Sequence, residues 1–485
     1  MAAIIATSLQ NAAAADILTV GIPQAIVGLD PHGSRSTERP VQLAAAQAFD
    51  TLVLRNGDHF EGRLAISWDN PDPQLLVFHL RPNVKFQDGS PFTAADVKAS
   101  FDRVVRLNGP LALLFNDVAE VSTQGDETVI FRTRNPSGSL LSSLSLLFVG
   151  PAGRMDKRDF WQHPVGTGPF EVRTFAPGQN MEFSANPLYW DGPPKIAILR
   201  FRYYPEIVSR ITALETGEID LTWNIPPDQI KEVADDHDLI YRTAESLEYY
   251  FDWFNSARKP FDDVRVRQAM WLALDIPKIV KYLFGDMAAV ASGPIPRTAF
   301  GAALMPAYAY DPDKARRLLS EAGYPRGFAT TMQWNHQCCS NIQVLASTMI
   351  SYWSKIGVRV TPLEKPRAQW QNDFLTLNWD MNLQTNAVLT GDADYALGRL
   401  YPCKAGHNGY CNPQLDRLLA SAAMTNDLDV RRDLYRQASQ IIWDDAVGIF
   451  PMDLRVNAAW RKQVRGFAPP ADQLPRFYAV SNGKE

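Results

Sequence analysis

Cysteines are the residues of this chain whose spacing most directly suggests chemistry. There are four of them, Cys338, Cys339, Cys403 and Cys411. Cys403 and Cys411 flank a short loop, which a disulfide bond can close in an oxidising compartment. Cys338 and Cys339 are adjacent, which is not the spacing of zinc ligands, and either a vicinal disulfide or two thiols fits them. We therefore predict a Cys403–Cys411 disulfide and no metal site.

No catalytic constellation can be assembled from the sequence. It contains no Gly-x-Ser-x-Gly, no His-Glu-x-x-His and no Walker-type phosphate loop. The segment 391–394, Gly-Asp-Ala-Asp, resembles half of a calcium loop, but the later ligands of such a loop are missing. The sequence therefore predicts a binding protein that is not an enzyme and has no cofactor. A secreted hydrolase whose two carboxylates meet only in space is the alternative from another class.

The carboxylate of Asp392 is the first candidate for direct contact with a ligand. It follows the segment 381–389, which predicts a buried strand. An acid just beyond a strand end faces the crevice in which α/β lobes bind ligands. A carboxylate desolvated there would attract a cationic group strongly. The alternative is an Asp that only forms the turn, as we expect for its neighbour Asp394.

Composition excludes two classes of partner. The 485 residues carry 48 Lys and Arg against 53 Asp and Glu, a net charge of -5, without the dense basic run that binds nucleic acid. No later apolar run approaches the ~20 residues that span a bilayer. The segment 1–15 is apolar, ends in alanines and is typical of a signal peptide lacking its positive start, or of a frayed tail. Because no cysteine lies near it, we expect an exported, soluble protein without a lipid anchor.

The elements that must position these side chains alternate between strands and helices. An alternating apolar run at 17–21 predicts a first strand, and Thr93 with Asp96 predicts the capping box of a helix. The segment 249–255 carries aromatic residues at alternate positions, which would face one side of a strand. Trp253 would then stack on a ligand or pack in the core. In the second half of the chain longer helices alternate with short strands, which predicts an α/β lobe.

Six motifs follow one another along the chain, at 80–97, 164–170, 186–190, 214–220, 259–269 and 273–275. Among them are Leu-Arg-Pro-Asn-Val-Lys-Phe-Gln-Asp-Gly, Pro-Val-Gly-Thr-Gly-Pro-Phe and Lys-Pro-Phe-Asp-Asp-Val-Arg-Val-Arg-Gln-Ala. Together they resemble the extracytoplasmic solute-binding proteins of family 5, the peptide, nickel and opine group. The segments 390–392 and 403–411 further resemble its dipeptide-binding branch. Most of these motifs consist of turn and cap residues, so they identify a scaffold rather than a site.

This resemblance implies an α/β fold of the type II periplasmic-binding-protein kind. Two lobes would be joined by a hinge, and a β-rich subdomain would be inserted in the first lobe. Lobe I is expected at 16–43, 165–255 and 450–485, the inserted subdomain II at 44–164, and lobe III at 256–449, after the signal-like segment 1–15. The lack of a low-complexity linker fits a hinge made of ordered crossover strands.

The resemblance also implies a function and its residues. The chain is expected to be a monomeric periplasmic protein of an ABC importer. It would capture a peptide or peptide-like small molecule between its lobes and pass it to permease subunits in the inner membrane. In peptide-binding relatives an Asp matching Asp392 holds the α-ammonium group of the ligand. The predicted ligand-binding residues are Asp392, His336, Trp253, Trp334, Gly33 and Arg35.

One departure from the family pattern leaves the identity of the ligand undecided. Dipeptide-binding relatives carry an arginine, which grips the ligand carboxylate, near the position of His336. A histidine there can bond a carboxylate or a hydroxyl group, or can be merely structural. The alternative ligands are therefore an opine or sugar–amino-acid conjugate and, third, a chelated metal.

Overall fold

Strands and helices alternate along most of the chain. The structure, a computed structural model, describes residues 16–57, 59–336, 338–339 and 341–483, so the signal-like segment 1–15 lies outside the described residues. The strands are β1 (Ile17–Ile22), β2 (Val53–Asn56), β3 (His59–Gly62), β4 (Ala65–Asp72), β5 (Leu75–Leu80), β6 (Val118–Gln124), β7 (Thr128–Thr133), β8 (Phe170–Ala176), β9 (Asn180–Ala185), β10 (Ile198–Tyr203), β11 (Leu221–Trp223), β12 (Leu239–Phe254), β13 (Ala288–Val290), β14 (Ala329–Asn335), β15 (Arg359–Lys365), β16 (Met381–Ala387), β17 (Gly448–Arg461), β18 (Val464–Arg465) and β19 (Ser481–Asn482). The α-helices are α1 (Arg39–Ala48), α2 (Ala94–Leu107), α3 (Leu140–Leu144), α4 (Ile207–Glu215), α5 (Ile230–Asp235), α6 (Val264–Leu272), α7 (Ile276–Leu283), α8 (Pro312–Glu321), α9 (Ile342–Ser354), α10 (Arg367–Leu375), α11 (Pro413–Ala423) and α12 (Leu428–Asp444).

One large sheet runs through the molecule in the order β15-β14-β16-β12-β17-β11-β1-β10-β9-β8. On one side β1 lies parallel to β10 and β11, and on the other β14 lies parallel to β15 and β16. The antiparallel pair β12–β17 joins these two halves. We call the half built on β11-β1-β10-β9-β8 the first lobe and the half built on β16-β14-β15 the second lobe.

The two lobes meet along the pair β12–β17. Its register shifts between Glu245, which lies opposite Arg455, and Tyr249, which lies opposite Asp453. Such an irregularity interrupts the ladder of hydrogen bonds and bends the strands locally. The predicted boundary at 449/450 falls inside β17, and the one at 255/256 falls just beyond β12. Both boundaries stay predictions, because the sheet continues from one lobe into the other.

The chain between α1 and β8 forms a subdomain with its own core. Its sheet has the order β4-β5-β7-β6, and α2 packs on it. The rings of Phe78 and Phe101 each lie edge-to-face on Phe131, with centroids 5.8 and 5.6 Å apart. The capping box that was predicted for α2 is confirmed, since the backbone N–H of Thr93 donates to Asp96 Oδ2 at 2.8 Å.

Both pairs of cysteines are joined in the structure. The predicted Cys403–Cys411 disulfide is present, and Cys338 is bonded to Cys339, where the sequence left a choice. Across the described ranges, none of the helices combines the length and the apolar character needed to cross a membrane. The same ranges hold no group of three or more His, Cys, Asp or Glu side chains arranged to bind a metal ion.

Candidate functional site

A cavity of about 390 Å³ lies between the two lobes, and we call it the inter-lobe cavity. Among the residues that the structure describes, its polar lining includes Gln24, Arg39, Asn224, Glu248, Asn341, Arg455 and Gln473. Its less polar lining includes Tyr250, Phe284, Met287, Ala387, Leu454 and the Cys338–Cys339 pair. A concave site with an apolar wall and a few polar groups is typical of small-molecule binding.

The topology of the sheet places this cavity at the carboxyl ends of parallel strands from both lobes. In the first lobe, Gln24 comes shortly after β1 and Asn224 directly after β11, its parallel neighbour. In the second lobe, the Cys338–Cys339 pair follows β14, and Ala387 ends the parallel strand β16. The carboxyl ends of parallel strands are where open α/β sheets bind ligands. Each lobe therefore contributes the carboxyl ends of its parallel strands to one wall of the cavity.

Charged side chains line the cavity. Arg39 begins α1 and donates from Nη1 to the backbone oxygen of Asp472 at 2.7 Å. Burial lowers the pKa of Arg39, and the carboxylates of Asp472 and Glu248 oppose that effect. Gln473 donates from Nε2 to Glu248 Oε2 at 2.8 Å and so orients that carboxylate. The side chain of Arg455 has no hydrogen-bond or ion-pair partner among the residues that the structure describes.

The periodicity of β12 decides which aromatic rings reach the cavity. Glu248 and Tyr250 lie on one face of the strand and both line the cavity. Tyr250 is almost fully buried and meets Phe284 edge-to-face, with centroids 5.7 Å apart. The cavity thus offers two guanidinium groups, one carboxylate and an aromatic wall. Such a set can bind a small ligand that carries carboxylates and an ammonium group.

Asp392, the first candidate from the sequence, does not line the inter-lobe cavity. Arg431 of α12 donates to both of its carboxylate oxygens, at 2.8 and 3.0 Å, and both side chains are buried. Ser142 Oγ and the backbone N–H of Asp394 also donate to it, at 3.1 and 3.0 Å. In this structure the carboxylate of Asp392 compensates the charge of a buried arginine. Its role toward a ligand stays a prediction.

The two predicted tryptophans are core residues in this structure. Trp253 is fully buried and packs on Phe251, with ring centroids 4.7 Å apart, and its indole N–H donates to Tyr401 Oη at 3.1 Å. The predicted alternation along β12 is present, but the face that carries Trp253 points into the core of the second lobe. Trp334 on β14 is also buried. Neither ring lines the inter-lobe cavity, so contact with a ligand stays a prediction for both.

His336, Gly33 and Arg35 lie outside the lining of the inter-lobe cavity as well. His336 is exposed at the end of β14, and its Nδ1–H donates to the backbone oxygen of Lys365 at 3.1 Å. Arg35 is exposed and lies 3.4 Å from Glu38. The turn that holds Gly33 packs against the inserted subdomain, where Asp30 accepts two hydrogen bonds from Arg103 at 2.8 Å. The ligand roles of these three residues stay predictions.

Sequence reasoning missed most of the cavity lining. Gln24 and Asn224 could have been predicted. They follow the carboxyl ends of β1 and β11, and the same position after a strand was the reason for choosing Asp392. Arg39, Glu248 and Arg455 carry no motif. Their common position depends on how the distant strands β12 and β17 pair and on where α1 packs, which local periodicity does not reveal.

The chain is similar in sequence to proteins whose binding function is known. The family of bacterial extracellular solute-binding proteins, family 5 (middle region), matches residues 59–408. The glutathione-binding protein GsiB of Pectobacterium atrosepticum is 31% identical over 433 residues, which cover 85% of this chain and 84% of that protein. These matches extend over both lobes and the inserted subdomain.

Solved structures agree with this assignment. HbpA2 from Haemophilus parasuis superposes with a TM-score of 0.87 at 25% identity, covering 97% of this chain and 100% of that one. A dipeptide-binding protein from a Pseudoalteromonas species, in complex with Met-Leu, gives a TM-score of 0.78 at 26% identity, covering 96% and 98%. The type II periplasmic-binding-protein fold predicted from the sequence is thus confirmed. The family and these relatives are solute-binding proteins, so the prediction that the chain is not an enzyme is confirmed as well. This chain belongs to family 5 of the bacterial extracellular solute-binding proteins.

Proposed function

We propose that this protein captures a small peptide-like ligand with two carboxylates and one ammonium group in the inter-lobe cavity. The observation that carries the proposal is the charge set of that cavity: the guanidinium groups of Arg39 and Arg455 and the carboxylate of Glu248. Arginine is well suited to carboxylates because its planar fork donates two parallel hydrogen bonds. An ammonium group would pair with Glu248, which Gln473 already orients.

The size of the cavity supports a ligand of di- or tripeptide dimensions. Its volume of about 390 Å³ is near the lower end of the range found for small-molecule sites. Glutathione is a tripeptide with two carboxylates, one ammonium group and a thiol, and the GsiB relatives are named for binding it. Glutathione is therefore the first ligand to test. An opine has a similar charge pattern, and it serves as the competing ligand in the same experiment.

Membership of the family supports a route for the ligand. Solute-binding proteins of ABC importers work with permease subunits in the membrane. We propose that this chain acts in the periplasm as a monomer and delivers its ligand to such subunits. The antiparallel pair β12–β17 joins the lobes, and a ligand that contacts both lobes favours their closed arrangement through its higher affinity for that state.

Isothermal titration calorimetry tests the proposal. The unmodified protein should bind reduced glutathione more tightly than octopine and more tightly than the uncharged-side-chain dipeptide Ala-Ala. Arg455→Gln should weaken binding by about 2 kcal/mol or more, because one ligand carboxylate loses its charged partner. Arg455 is the preferred position since its side chain makes no ion pair within the described residues, so the substitution breaks no ion pair of the fold.

Arg436→Gln is the matched control. It removes the same charge from an exposed position outside the cavity, so it should leave the affinity unchanged. The proposal is wrong if Arg455→Gln and Arg39→Gln both bind reduced glutathione as tightly as the parent protein. Tighter binding of octopine than of glutathione would reassign the ligand to the opine class.

A further inference from the structure

The Cys338–Cys339 disulfide forms part of the wall of the inter-lobe cavity. Both residues are only partly buried, and they reach the cavity from the second lobe, directly after β14. The Cys403–Cys411 disulfide does not line this cavity. A ligand in the cavity thus has access to one disulfide bond of the protein and not to the other.

The surroundings of this disulfide favour attack by a thiol. A thiol–disulfide exchange is carried out by the thiolate form, and nearby positive charge increases the thiolate fraction. The guanidinium groups of Arg39 and Arg455 line the same cavity. A thiol ligand held by its carboxylates would therefore be placed next to a disulfide in a positively charged setting.

We propose that the inter-lobe cavity is a covalent capture site for thiol-bearing peptides, with the Cys338–Cys339 disulfide as the reacting group. This inference rests on the proposed function and identifies the ligand class as peptides with a free thiol. The sulfur of the ligand thiolate forms a bond with one cysteine Sγ, and the Sγ–Sγ bond of the protein breaks. The electron pair of that bond goes to the other cysteine, which takes up the proton that the ligand thiol released. No outside oxidant or reductant is consumed.

The contacts of the two sulfurs differ, and the difference predicts which one is attacked. Cys338 Sγ lies 3.7 Å from Thr385 Oγ1, within reach of a hydrogen bond from that hydroxyl group. A donor at this position stabilises Cys338 as the departing thiolate, and a better leaving group accelerates exchange. The ligand should therefore become attached to Cys339, leaving Cys338 as the free thiol.

Mass spectrometry of the full-length oxidised protein tests this step. The protein is incubated with reduced glutathione without oxygen and quenched with acid. We expect the intact mass to rise by one glutathione, and peptide mapping to locate the adduct on Cys339. At equal concentration, 2-mercaptoethanol should react at least about tenfold more slowly than glutathione, because it lacks the charged groups that hold a ligand in place. Thr385→Val should slow adduct formation by glutathione.

Variants and a thiol-free ligand complete the design. Cys338→Ser leaves no disulfide in the cavity and should form no adduct under these conditions. The double variant Cys403→Ser/Cys411→Ser should react like the parent protein. S-methylglutathione should bind in calorimetry and form no adduct.

The outcomes separate this inference from the proposed function. If glutathione and S-methylglutathione bind but no adduct forms on Cys338 or Cys339, covalent capture is wrong and the proposed function stands. An adduct that forms equally fast with 2-mercaptoethanol, or equally at Cys403 and Cys411, also overturns it. If neither glutathione nor S-methylglutathione binds, the proposed function itself fails.

Discussion

Arg431 binds both carboxylate oxygens of Asp392, although Asp392 lies in the loop after β16 and Arg431 lies on α12. The exposed fractions of the two side chains are 1% for Arg431 and 2% for Asp392. Burial by itself would lower the pKa of Arg431, but the Asp392 carboxylate reverses that effect and raises it. Ser142 reaches the same carboxylate from the inserted subdomain. This ion pair therefore ties the second lobe internally and links it to the subdomain.

Removal of Asp392 should destabilise the protein. Asp392→Ala leaves Arg431 buried without its counter-ion, so we expect the free energy of unfolding to fall by about 3–5 kcal/mol. Urea denaturation measures the change. Asp433→Ala is the control, since it breaks an exposed ion pair with Arg436 on the same helix and should leave the denaturation midpoint nearly unchanged.

A second substitution of Asp392 distinguishes a structural role of this residue from a role in ligand binding. Asp392→Asn keeps the size of the side chain and should retain enough structure for calorimetry. If its ligand affinity equals that of the parent while its stability falls, Asp392 belongs to the scaffold alone. A loss of about 2 kcal/mol or more of binding energy in the folded variant would support the role that the sequence predicted.

Asp453 should make stability fall as the pH rises from about 4 to about 7. It is buried on β17, and burial raises its pKa to about 7, although Arg297 opposes the shift. Because this pKa is raised above its ordinary value of 3.8, the folded protein holds the proton more tightly than the unfolded chain. The contribution of Asp453 is complete below about pH 4 and is lost as pH rises through 7.

Asp453→Asn should abolish this dependence. We subtract the unfolding free energy of the parent from that of the variant at each pH. This difference should rise by up to about 4 kcal/mol between pH 4 and pH 8, because only the parent loses stability over that range. Urea denaturation across that interval checks it. Asp313→Asn, at an exposed position of α8, should follow the parent at every pH. Parallel curves for Asp453→Asn and the parent would contradict the assignment.

His32 should have the opposite effect in acid. It is buried where the first lobe meets the inserted subdomain, and its Nε2–H donates to the backbone oxygen of Phe148 at 2.7 Å. Burial lowers its pKa from 6.5 to about 4; the hydrogen bond to Phe148 and the charge of Asp30 oppose this shift, and the charge of Arg103 adds to it. A lowered pKa means that the unfolded chain takes up the proton first. The contribution of His32 is complete above about pH 6.5 and is lost as pH falls through 4.

His32→Gln keeps a donor for the Phe148 oxygen and removes the titrating group. Between pH 7 and pH 4.5 the parent should lose about 2–3 kcal/mol of stability more than this variant. Thermal denaturation at several pH values measures the difference. His79→Gln, at an exposed position of β5, is the control and should retain the acid sensitivity of the parent. Equal acid sensitivity in His32→Gln would show that His32 is not responsible.

Features that depend on neighbouring residues were predictable from the sequence. The capping box of α2, the strand at 75–80 and the short loop closed by Cys403–Cys411 all lie within local stretches whose chemistry is self-contained. The six family motifs predicted the overall fold for a similar reason, because turns and caps keep their residue types wherever they stand in the chain.

The site was decided by tertiary structure. Whether Asp392 meets a ligand or Arg431 depends on where α12 packs, and no local pattern contains that information. Alternation along β12 predicted that Trp253 and Phe251 lie on the same face of the strand. Only the pairing of β12 with β16 and β17 determines that this face packs in the core and that Tyr250, on the other face, lines the cavity. Arg39, Glu248 and Arg455 line one cleft because the pairing of β12 with β17 and the packing of α1 bring three distant segments together. Long-range contacts of this kind are set by the burial of whole sheets.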